Sequence, residues 1–410
     1  MDVGRLARVL SIFTLILLTA CGGNRSSSSA VPHTTMGCQA TAVQGQYIVE
    51  WTDGHFSVER AKSREDFIAN FVEPRLEKIV LAELDQIVTI KEQPITAEET
   101  IPANWGQEVS GAQAAWTQNF RGQNVVIAVI DSGVDPTHPQ LRNQLFVNTA
   151  ETVNGADDDG NGYIDDISGW NYSNPEGPGT PNPLDENGHG THVSGIIFAE
   201  HSAGIVQGVA PQAKLMPLQF MDRTGAGTIS RAIQAIDYAT KMGVKVINAS
   251  WGTPGCNRTL ESAIANARDK GVLFVTAAGN DYSDLTVSPS FPAAFTATGQ
   301  LTIGALTYSG FRADFSNFGA LVHMVAPGAP VYSTQPAALE PNGYRFMSGT
   351  SMAAPFVSGA AALLWSARPN ATVAQVREAI LTSVAVKDHL NVATHGQLDI
   401  AAALAKITSP

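Results

Sequence analysis

The chain has 410 residues, of which 44% are hydrophobic and only 15% are charged. This length and composition exclude a disordered protein and predict a compact body, with material for one large domain and a small one. The formal net charge of −12 argues against binding of nucleic acid, because recognition of phosphates depends on lysine and arginine.

The first 21 residues have the pattern of an export signal. Arg5 and Arg8 lie at the start, and a mostly apolar stretch of twelve residues, 9–20, extends beyond them. As a helix with a rise of about 1.5 Å per residue, this stretch cannot cross a hydrocarbon layer of about 30 Å. We therefore interpret residues 1–21 as a signal peptide and not as a membrane span.

The signal ends in LTAC (18–21), which resembles the lipobox of bacterial lipoproteins. In such proteins the cysteine is lipidated and becomes the mature N-terminus, so Cys21 is the expected lipidation site and the lipid is the only expected membrane contact. Residues 22–37, which include a run of four serines, are predicted to form a flexible tether. We expect an exported protein that is anchored to a bacterial membrane or cell surface, or secreted if the lipobox is not used.

Cys38 and Cys256 are the other cysteines of the chain. Two cysteines of an exported protein can form a disulfide, but Cys38 lies in a segment that we expect to be removed. The sequence leaves their pairing open.

Residues 38–100 are predicted to form a small α+β module. GQYIVEWT (45–52) alternates like a strand, and LDQIVTI (84–90) is typical of a second strand. Residues 64–85 carry helix-forming side chains that are interrupted by Pro74. The segment KEQPITAEETIPANW, which follows LDQIVTI, breaks the pattern with two prolines and is predicted to be a linker.

From about residue 105, short apolar runs alternate with helical segments. Two of these segments, 228–243 and 260–271, have helical periodicity and end at a glycine suited to a left-handed cap. The alternation predicts an α/β fold with a mostly parallel central sheet and helices on both faces, in which ligands bind at the carboxyl ends of the strands. The apolar runs, typical of strands buried on both faces, are VVIAVI (125–130), KLMPLQF (214–220), KVINAS (245–250), VLFVTAA (272–278) and LTIGAL (301–306).

Three polar residues stand at the ends of these elements. Asp131 follows VVIAVI, Asn280 follows VLFVTAAG, and Ser351 begins an apolar helix rich in alanine and glycine. At a helix N-terminus, free backbone N–H groups and the helix dipole suit an oxygen that develops negative charge. Taken singly, Asp131 and Asn280 could be turn residues and Ser351 a helix cap. Their joint occurrence at element ends favours a catalytic site.

Four segments resemble, in this order, the signature segments of the subtilisin-like serine proteases, the subtilases. The resemblance covers residues 105–404 and implies a subtilisin-like peptidase domain there. It also implies that residues 38–100 are an inhibitory propeptide of a proenzyme that cuts itself between about residues 90 and 107. A permanent accessory domain is the alternative. The four segments are VIDSGVD (129–135), HGTHVSG (189–195), AAGN (277–280) and GTSMAAP (349–355).

The resemblance assigns a role to each catalytic position. Ser351 is the expected nucleophile, His189 takes and returns its proton, and Asp131 orients the imidazole and stabilises its cation. The side-chain amide of Asn280 and the backbone N–H of Ser351 are the expected donors to the oxyanion. Elementary chemistry requires such a set, because a serine hydroxyl is a poor nucleophile unless a base with a fixed tautomer removes its proton. No cofactor is needed for catalysis.

His192 lies one turn after His189 and is predicted to pack inside the domain as a neutral, hydrogen-bonded histidine. A zinc site of the H-E-x-x-H type needs a glutamate where this chain has Gly190, and it needs a third ligand. The sequence therefore favours one base and one structural histidine over a metal site.

The resemblance also implies a substrate cleft that pairs with an extended peptide. Backbone hydrogen bonds to an edge strand supply affinity without demanding a particular sequence. Protein or peptide substrates and the chain's own propeptide are therefore the expected partners. The edge strand is expected to contribute Ser250, Trp251 and Gly252, and the wall of the pocket for the residue before the cut bond is expected to contribute Ala277, Ala278 and Gly279.

The segment DDDGNGYIDD (157–166) holds five of the 37 acidic residues. Its oxygen ligands occur at the alternating positions of a calcium loop. The match is partial, because the twelfth position is Ser168 where such a loop has a glutamate. A solvated acidic turn is the alternative to a structural calcium site. The expected ligands are Asp157, Asp159, Asn161, the carbonyl of Tyr163, and Asp165.

These features predict an exported serine endopeptidase that acts through an acyl-enzyme. Two alternatives remain at the level of sequence. A catalytically silent surface binding protein could have the same fold, although all four chemical positions are filled. An esterase or transpeptidase could use the same triad and differ only in the molecule that resolves the acyl-enzyme.

Overall fold

The structure is a computed structural model of one chain. It describes residues 40–90, 93–94, 101–174, 177, 179–202 and 204–409. The predicted signal peptide and tether, Cys21 and Cys38 lie outside the described residues. Within the described part of the chain, no helix combines the length and the apolar character needed to cross a membrane.

Strands and helices are numbered here in chain order. The strands are β1 Ala42–Trp51, β2 Phe56–Arg60, β3 Ile79–Thr89, β4 Val126–Asp131, β5 Trp170–Asn171, β6 Lys214–Gln219, β7 Ala226–Thr228, β8 Val246–Ala249, β9 Leu273–Ala277, β10 Leu301–Thr307, β11 Met324–Ala329, β12 Val331–Thr334, β13 Tyr344–Met347, β14 Ala385–Val386 and β15 Gly396–Gln397. The α-helices are α1 Arg64–Phe67, α2 Trp105–Val109, α3 Gln113–Thr117, α4 His189–Phe198, α5 Ile229–Lys241, α6 Arg258–Asp269, α7 Thr350–Ala367, α8 Val373–Leu381 and α9 Ile400–Thr408.

A nine-stranded sheet forms the centre of the larger part of the molecule. Its strand order is β14-β15-β11-β10-β9-β8-β4-β6-β5. Neighbouring strands are parallel except for the pair β14 and β15 at one edge. The predicted fold class, a mostly parallel sheet with helices, is confirmed.

The predicted strands and helices of this sheet agree closely with the structure. The five apolar runs correspond to β4, β6, β8, β9 and β10. Strands β8 and β9 are buried along their whole length, which is why they lack the alternating pattern of a half-exposed strand. Helices α5 and α6 end shortly before Gly243 and Gly271, whose φ angles of 71° and 87° lie in the left-handed region that glycine adopts without strain.

Helix α7 runs through the core. Its residues 350–365 are all buried, and it contacts α4 and several strands of the sheet. Small side chains permit this close packing: a β-carbon on Gly359 would collide with the side chain of Val209. The run of alanine and glycine thus allows a helix to lie at the centre of the domain with its first turn at the carboxyl edge of the sheet.

The N-terminal module is an antiparallel sheet in the order β2-β1-β3, which β7 of the larger domain extends. The predicted helical character of residues 64–85 is only partly correct. The α-helix ends at Phe67, a π-turn covers Ile68–Val72, and β3 begins at Ile79. Pairing of β3 with β1 overrides the helical preference of its leucine, alanine and glutamate residues. Strand β2 was not predicted.

Candidate active site

Asp131 and His189 form a buried pair at the carboxyl edge of the sheet. Asp131 is the last residue of β4, and His189 is the first residue of α4. The His189 Nδ1 atom lies 2.8 Å from Asp131 Oδ1, with 4% and 0% of the two side chains exposed. Because a carboxylate only accepts hydrogen bonds, Nδ1 carries the proton and the lone pair is on Nε2. The imidazole therefore has the tautomer of a general base.

A second buried carboxylate, which is not predicted from the sequence, holds the loop before His189. Asp185 Oδ1 accepts hydrogen bonds from the Ser132 hydroxyl at 2.9 Å and the Gly188 N–H at 2.8 Å. Its Oδ2 accepts from the Thr191 N–H at 2.8 Å and the Thr191 hydroxyl at 2.6 Å. Burial raises the pKa of Asp185, and these hydrogen bonds oppose that rise. Asp185 thereby connects the start of α4 with Ser132, the residue that follows Asp131.

His192 has a different environment from His189, as predicted. It is completely buried, and its Nε2 lies 3.2 Å from the carbonyl oxygen of Arg345. Burial lowers the pKa of His192 to about 3, so the ring is neutral at physiological pH. A neutral Nε2–H donates to the carbonyl, which fits a structural role.

Ser351 is the second residue of α7 and is 8% exposed. Its hydroxyl donates to the carbonyl oxygen of Ser250 at 2.9 Å, and the Ser250 hydroxyl donates to the Ser351 carbonyl at 2.8 Å. This pair of hydrogen bonds joins the end of β8 to the first turn of α7. A serine hydroxyl has one proton, so Ser351 must release the Ser250 carbonyl before it can donate to a base.

The side-chain amide of Asn280 has a defined orientation. Its Oδ1 accepts from the Thr350 N–H at 2.9 Å and from the Thr350 hydroxyl at 2.8 Å. The Thr350 hydroxyl also accepts from the Gly279 N–H at 3.0 Å. A backbone N–H can only donate, so the oxygen of Asn280 must face Thr350. The amide Nδ2 is therefore directed away from Thr350 and is available as a donor.

Ser351 and Asn280 line a cleft of about 320 Å³. Ser250, Gly252, Ala277 and Gly279 line it too, whereas Ala278 is fully buried and does not line the cleft. Trp251 lies at the wall but is only 2% exposed, because its indole N–H donates to the carbonyl of Ile130 at 2.9 Å. Its side chain supports the cleft from inside.

The N-terminal module reaches into this cleft. Strand β3 pairs antiparallel with β7, with Val88 opposite Gly227, and the Ile90 N–H donates to the carbonyl of Gly225 at 3.1 Å. Thr89 and Ile90 line the cleft. Gln93 then forms an antiparallel bridge with Ser348, three residues before Ser351. The chain is thus attached to the cleft at Ile90 and again at Gln93.

Two carboxylates of β3 cap helices of the larger domain. Glu83 Oε2 accepts from the Thr259 N–H at 2.9 Å in the first turn of α6, and burial raises the pKa of Glu83. Asp85 Oδ1 accepts from the Ser230 N–H at 3.0 Å in the first turn of α5. Unpaired N–H groups and the positive end of the helix dipole favour a carboxylate at these places. No local pattern in the sequence predicts either contact.

The acidic loop differs in detail from the predicted calcium loop. The carboxylate of Asp157 accepts from the N–H groups of Asn161 and Gly162, and the carboxylate of Asp165 accepts from those of Asn154 and Gly155. Among the described residues, the acids with ligand atoms within 4.8 Å of one another are Glu151, Asp159 and Asp166. Asp159 is the one acid that this group shares with the ligands predicted from the sequence. The Tyr163 side chain packs edge-on against Trp170 and Tyr238.

This geometry supplies three elements of acyl-transfer chemistry. An imidazole is held in its basic tautomer, a hydroxyl stands at a helix N-terminus, and an amide donor is oriented beside it in a cleft. These groups can remove a proton, attack a carbonyl carbon and bind the oxyanion that forms.

Comparison with known proteins identifies similar chains. Residues 122–398 match the model of the subtilase family. The alkaline protease of Alkalihalobacillus alcalophilus is 34% identical over 309 residues, which are 75% of this chain and 71% of that protein. The thermophilic serine proteinase of Bacillus sp. (strain AK1) is 32% identical over 402 residues, 92% of this chain and 91% of that protein. A crystal structure of a cold adapted subtilisin-like serine proteinase has a TM-score of 0.56 and 28% identity, and the match covers 68% of this chain and 90% of that one.

Proposed function

This chain belongs to the subtilase family and is a serine endopeptidase, and on that premise we propose that Asp131, His189 and Ser351 are its catalytic triad. The observation that carries the proposal is the buried Asp131–His189 pair, with 2.8 Å between Oδ1 and Nδ1. His189 begins α4, which packs against α7, the helix that bears Ser351.

In the proposed reaction, His189 Nε2 removes the hydroxyl proton of Ser351 as Oγ attacks the carbonyl carbon of the substrate. The tetrahedral oxyanion accepts hydrogen bonds from Asn280 Nδ2 and from the Ser351 N–H. His189 then gives the proton to the leaving amine, and water resolves the acyl-enzyme by the same steps in reverse. Asp131 holds the tautomer and stabilises the imidazolium.

We further propose that the module predicted for residues 38–100 is an inhibitory propeptide and that the enzyme itself cuts the chain within this range. Pairing of β3 with β7 resembles the way that an extended substrate adds to a sheet edge. The Ile90 N–H donates to the Gly225 carbonyl, and Gln93 pairs with Ser348, which lies three residues before Ser351. The bond that is cut is therefore expected to lie between these two residues.

Export and lipid anchoring are proposed from the sequence of residues 1–21, with Cys21 as the lipidated residue. The apolar stretch and the LTAC ending support this proposal, and ordinary secretion of the protein is the alternative.

A structural calcium ion is proposed for the acidic loop. Glu151, Asp159 and Asp166 offer hard oxygen ligands that already lie close together, and residues 143–188 include no lysine or arginine to neutralise them. Asn148 and Asn161 donate to these carboxylates, and their side chains can turn to present oxygen. An ion would stabilise the loop between β4 and α4.

A serine-directed fluorophosphonate probe tests the proposed function. We expect the probe to label the wild-type protein at Ser351 and to leave Ser351→Ala unlabelled. Ser351→Ala should also accumulate as an uncut precursor, whereas mass spectrometry of the wild-type protein should find a new N-terminus at residue 91, 92 or 93. Absence of labelling in a correctly folded protein would instead support a catalytically silent binding protein.

A further inference from the structure

Cys256 takes part in a disulfide within the chain. The chain has three cysteines, at positions 21, 38 and 256. The partner of Cys256 is therefore one of the two cysteines that precede the N-terminal module. Either partner would join the peptidase domain covalently to the segment in front of that module.

The described residues favour Cys38 as the partner. Ala40 lies against Gly255, where the side chains of Ala40 and Gln86 leave no room for a β-carbon. The Gln86 side-chain amide also donates to the carbonyl oxygen of Cys256 at 3.2 Å. Position 38 is two residues from Ala40, a span of at most about 7 Å, and the Cα atoms of a disulfide are about 5.5–6 Å apart.

We propose that a Cys38–Cys256 disulfide keeps the N-terminal module attached to the peptidase domain after the module has been cut. The proposal rests on the proposed self-processing between Ile90 and Gln93 and on lipidation of Cys21. That cut places the lipid and the module on one fragment, and the triad on the other. The disulfide is then the only covalent link between the lipid anchor and the active site.

Formation of the disulfide requires an oxidant, which the exporting compartment supplies. The two thiols lose two protons and two electrons to a protein disulfide oxidant, which becomes a dithiol. Cleavage adds one water across the peptide bond and leaves a carboxylate on the module and an amine on the peptidase domain. Reduction of the disulfide by a dithiol reverses the first step and frees the two fragments.

The link has two consequences for the cut enzyme. A tethered module has an effective concentration of about the millimolar range at the cleft, so dilution alone does not remove it. The peptidase domain also stays on the membrane, although its own chain carries no lipid. Release of the enzyme from the membrane then depends on reduction of the disulfide or on cleavage of the tether between Cys21 and Cys38.

The test compares the wild-type chain with Cys256→Ser, Cys38→Ser and Ser351→Ala, each produced in an exporting bacterium with a C-terminal tag. We expect the wild-type fragments to run as one species without reductant and as two species with dithiothreitol. Washed membranes should hold the tagged peptidase fragment and release it on reduction. Each cysteine variant should release that fragment without reductant. The uncut Ser351→Ala chain should stay on the membrane in both conditions.

Mass-spectrometric peptide mapping without reductant gives a readout that is independent of cleavage. A peptide pair that contains residues 38 and 256 supports the link, and free thiols at both positions overturn it. Wild-type fragments that separate without reductant also overturn it. A wild-type chain that remains uncut but contains the cross-linked pair contradicts the self-processing and not the disulfide. If a cysteine variant fails to fold, reduction of the folded wild-type protein still decides the outcome, because the triad contains no thiol.

Discussion

His189 and His192 lie one helical turn apart, yet their surroundings give them opposite properties. The Nδ1 atom of His189 faces a buried carboxylate, which fixes its tautomer and would stabilise its cation. His192 faces a backbone carbonyl in an apolar interior, where burial lowers its pKa to about 3. A base must gain a proton during turnover, so only His189 suits that role.

The two histidines are therefore expected to respond differently to substitution. Ser351→Ala, His189→Ala and Asp131→Asn should each lower kcat by about 10⁴-fold or more, because each removes one member of a unit with non-additive effects. His192→Gln can retain a donor to the Arg345 carbonyl and should keep substantial activity with a lower Tm. Peptide hydrolysis and thermal melts measure both quantities. Equal loss of turnover in folded His189→Ala and His192→Gln would contradict the assignment.

Thr350 is predicted to act by positioning Asn280. Asn280→Ala should lower kcat by about 10²–10³-fold with little change in KM, a range transferred from subtilisin. Thr350→Val removes the hydroxyl that contacts Asn280 and keeps the N–H contact, so a smaller loss of kcat is expected. Thr350→Ser restores the hydroxyl and serves as the control. If Thr350→Val lowers kcat equally in the presence and in the absence of the Asn280 side chain, Thr350 does not act through Asn280.

Helices α5 and α6 depend on a neighbouring element at their N-termini. The N-cap residue of α5, Thr228, makes no side-chain capping hydrogen bond, and Asp85 of β3 supplies the acceptor instead. In α6, Asn257 caps one N–H group and Glu83 accepts from another. One strand of the module thus completes two helices of the peptidase domain.

Loss of these contacts is expected to weaken the module and slow maturation. Gln and Asn keep an acceptor oxygen but lose the negative charge, which contributes about 0.3–2 kcal/mol at a helix N-terminus. Glu83→Gln and Asp85→Asn should therefore each weaken the binding of the isolated module to the cut enzyme by about 2- to 30-fold. Inhibition constants and the rate of precursor cleavage measure this effect. Glu73→Gln, on the exposed surface of the same module, is the control and should match the wild-type protein.

The acidic loop is predicted to bind calcium in its folded form. A bound ion would stabilise the protein by about 2.7 kcal/mol when free calcium is a hundred times its Kd, so chelation should lower the Tm of Ser351→Ala. Asp159→Ala should abolish the calcium response for either ligand set. Asp157→Ala tests the set predicted from sequence, and Glu151→Gln tests the set that the structure groups together. A melting curve that neither chelator nor millimolar calcium shifts would leave the loop as an acidic turn.

Buried histidines couple the stability of the whole molecule to pH. Burial lowers the pKa of His192 to about 3 and that of His323 to about 4, and it also lowers the pKa of His138. In the unfolded chain these rings gain a proton below about pH 6.5. The folded protein gains these protons only at lower pH, so its free energy of unfolding decreases as the pH decreases below about 6.5. Asp185, whose pKa burial raises, contributes in the opposite direction.

The Tm of Ser351→Ala is accordingly expected to fall between pH 6.5 and pH 5. Each buried neutral histidine contributes up to about 1.4 kcal/mol per pH unit in this range. His192→Gln removes one such group and should flatten the dependence by that amount, which thermal melts at several pH values would detect. Equal slopes for the two proteins would show that His192 is not a neutral buried ring.

The sequence by itself determined the elements whose signals are local. Strands β4, β8 and β9 were predictable because strands buried on both faces are continuous apolar runs. Helix α7 was predictable because small residues permit burial on every side. Asp131, Asn280 and Ser351 stand next to these elements, so their convergence at one edge of the sheet followed from the parallel topology.

Only the tertiary structure decided the contacts between segments that are distant in the chain. Asp85 and Ser230 are 145 residues apart, and Ser132 and Asp185 are 53 residues apart. No periodicity in the sequence indicates which helix N-terminus a carboxylate will contact. The same reason explains why β3 was partly predicted as a helix: its conformation is set by pairing with β1 and β7. Propensity and periodicity act within a few residues, whereas burial and hydrogen bonding act on whatever the fold brings together.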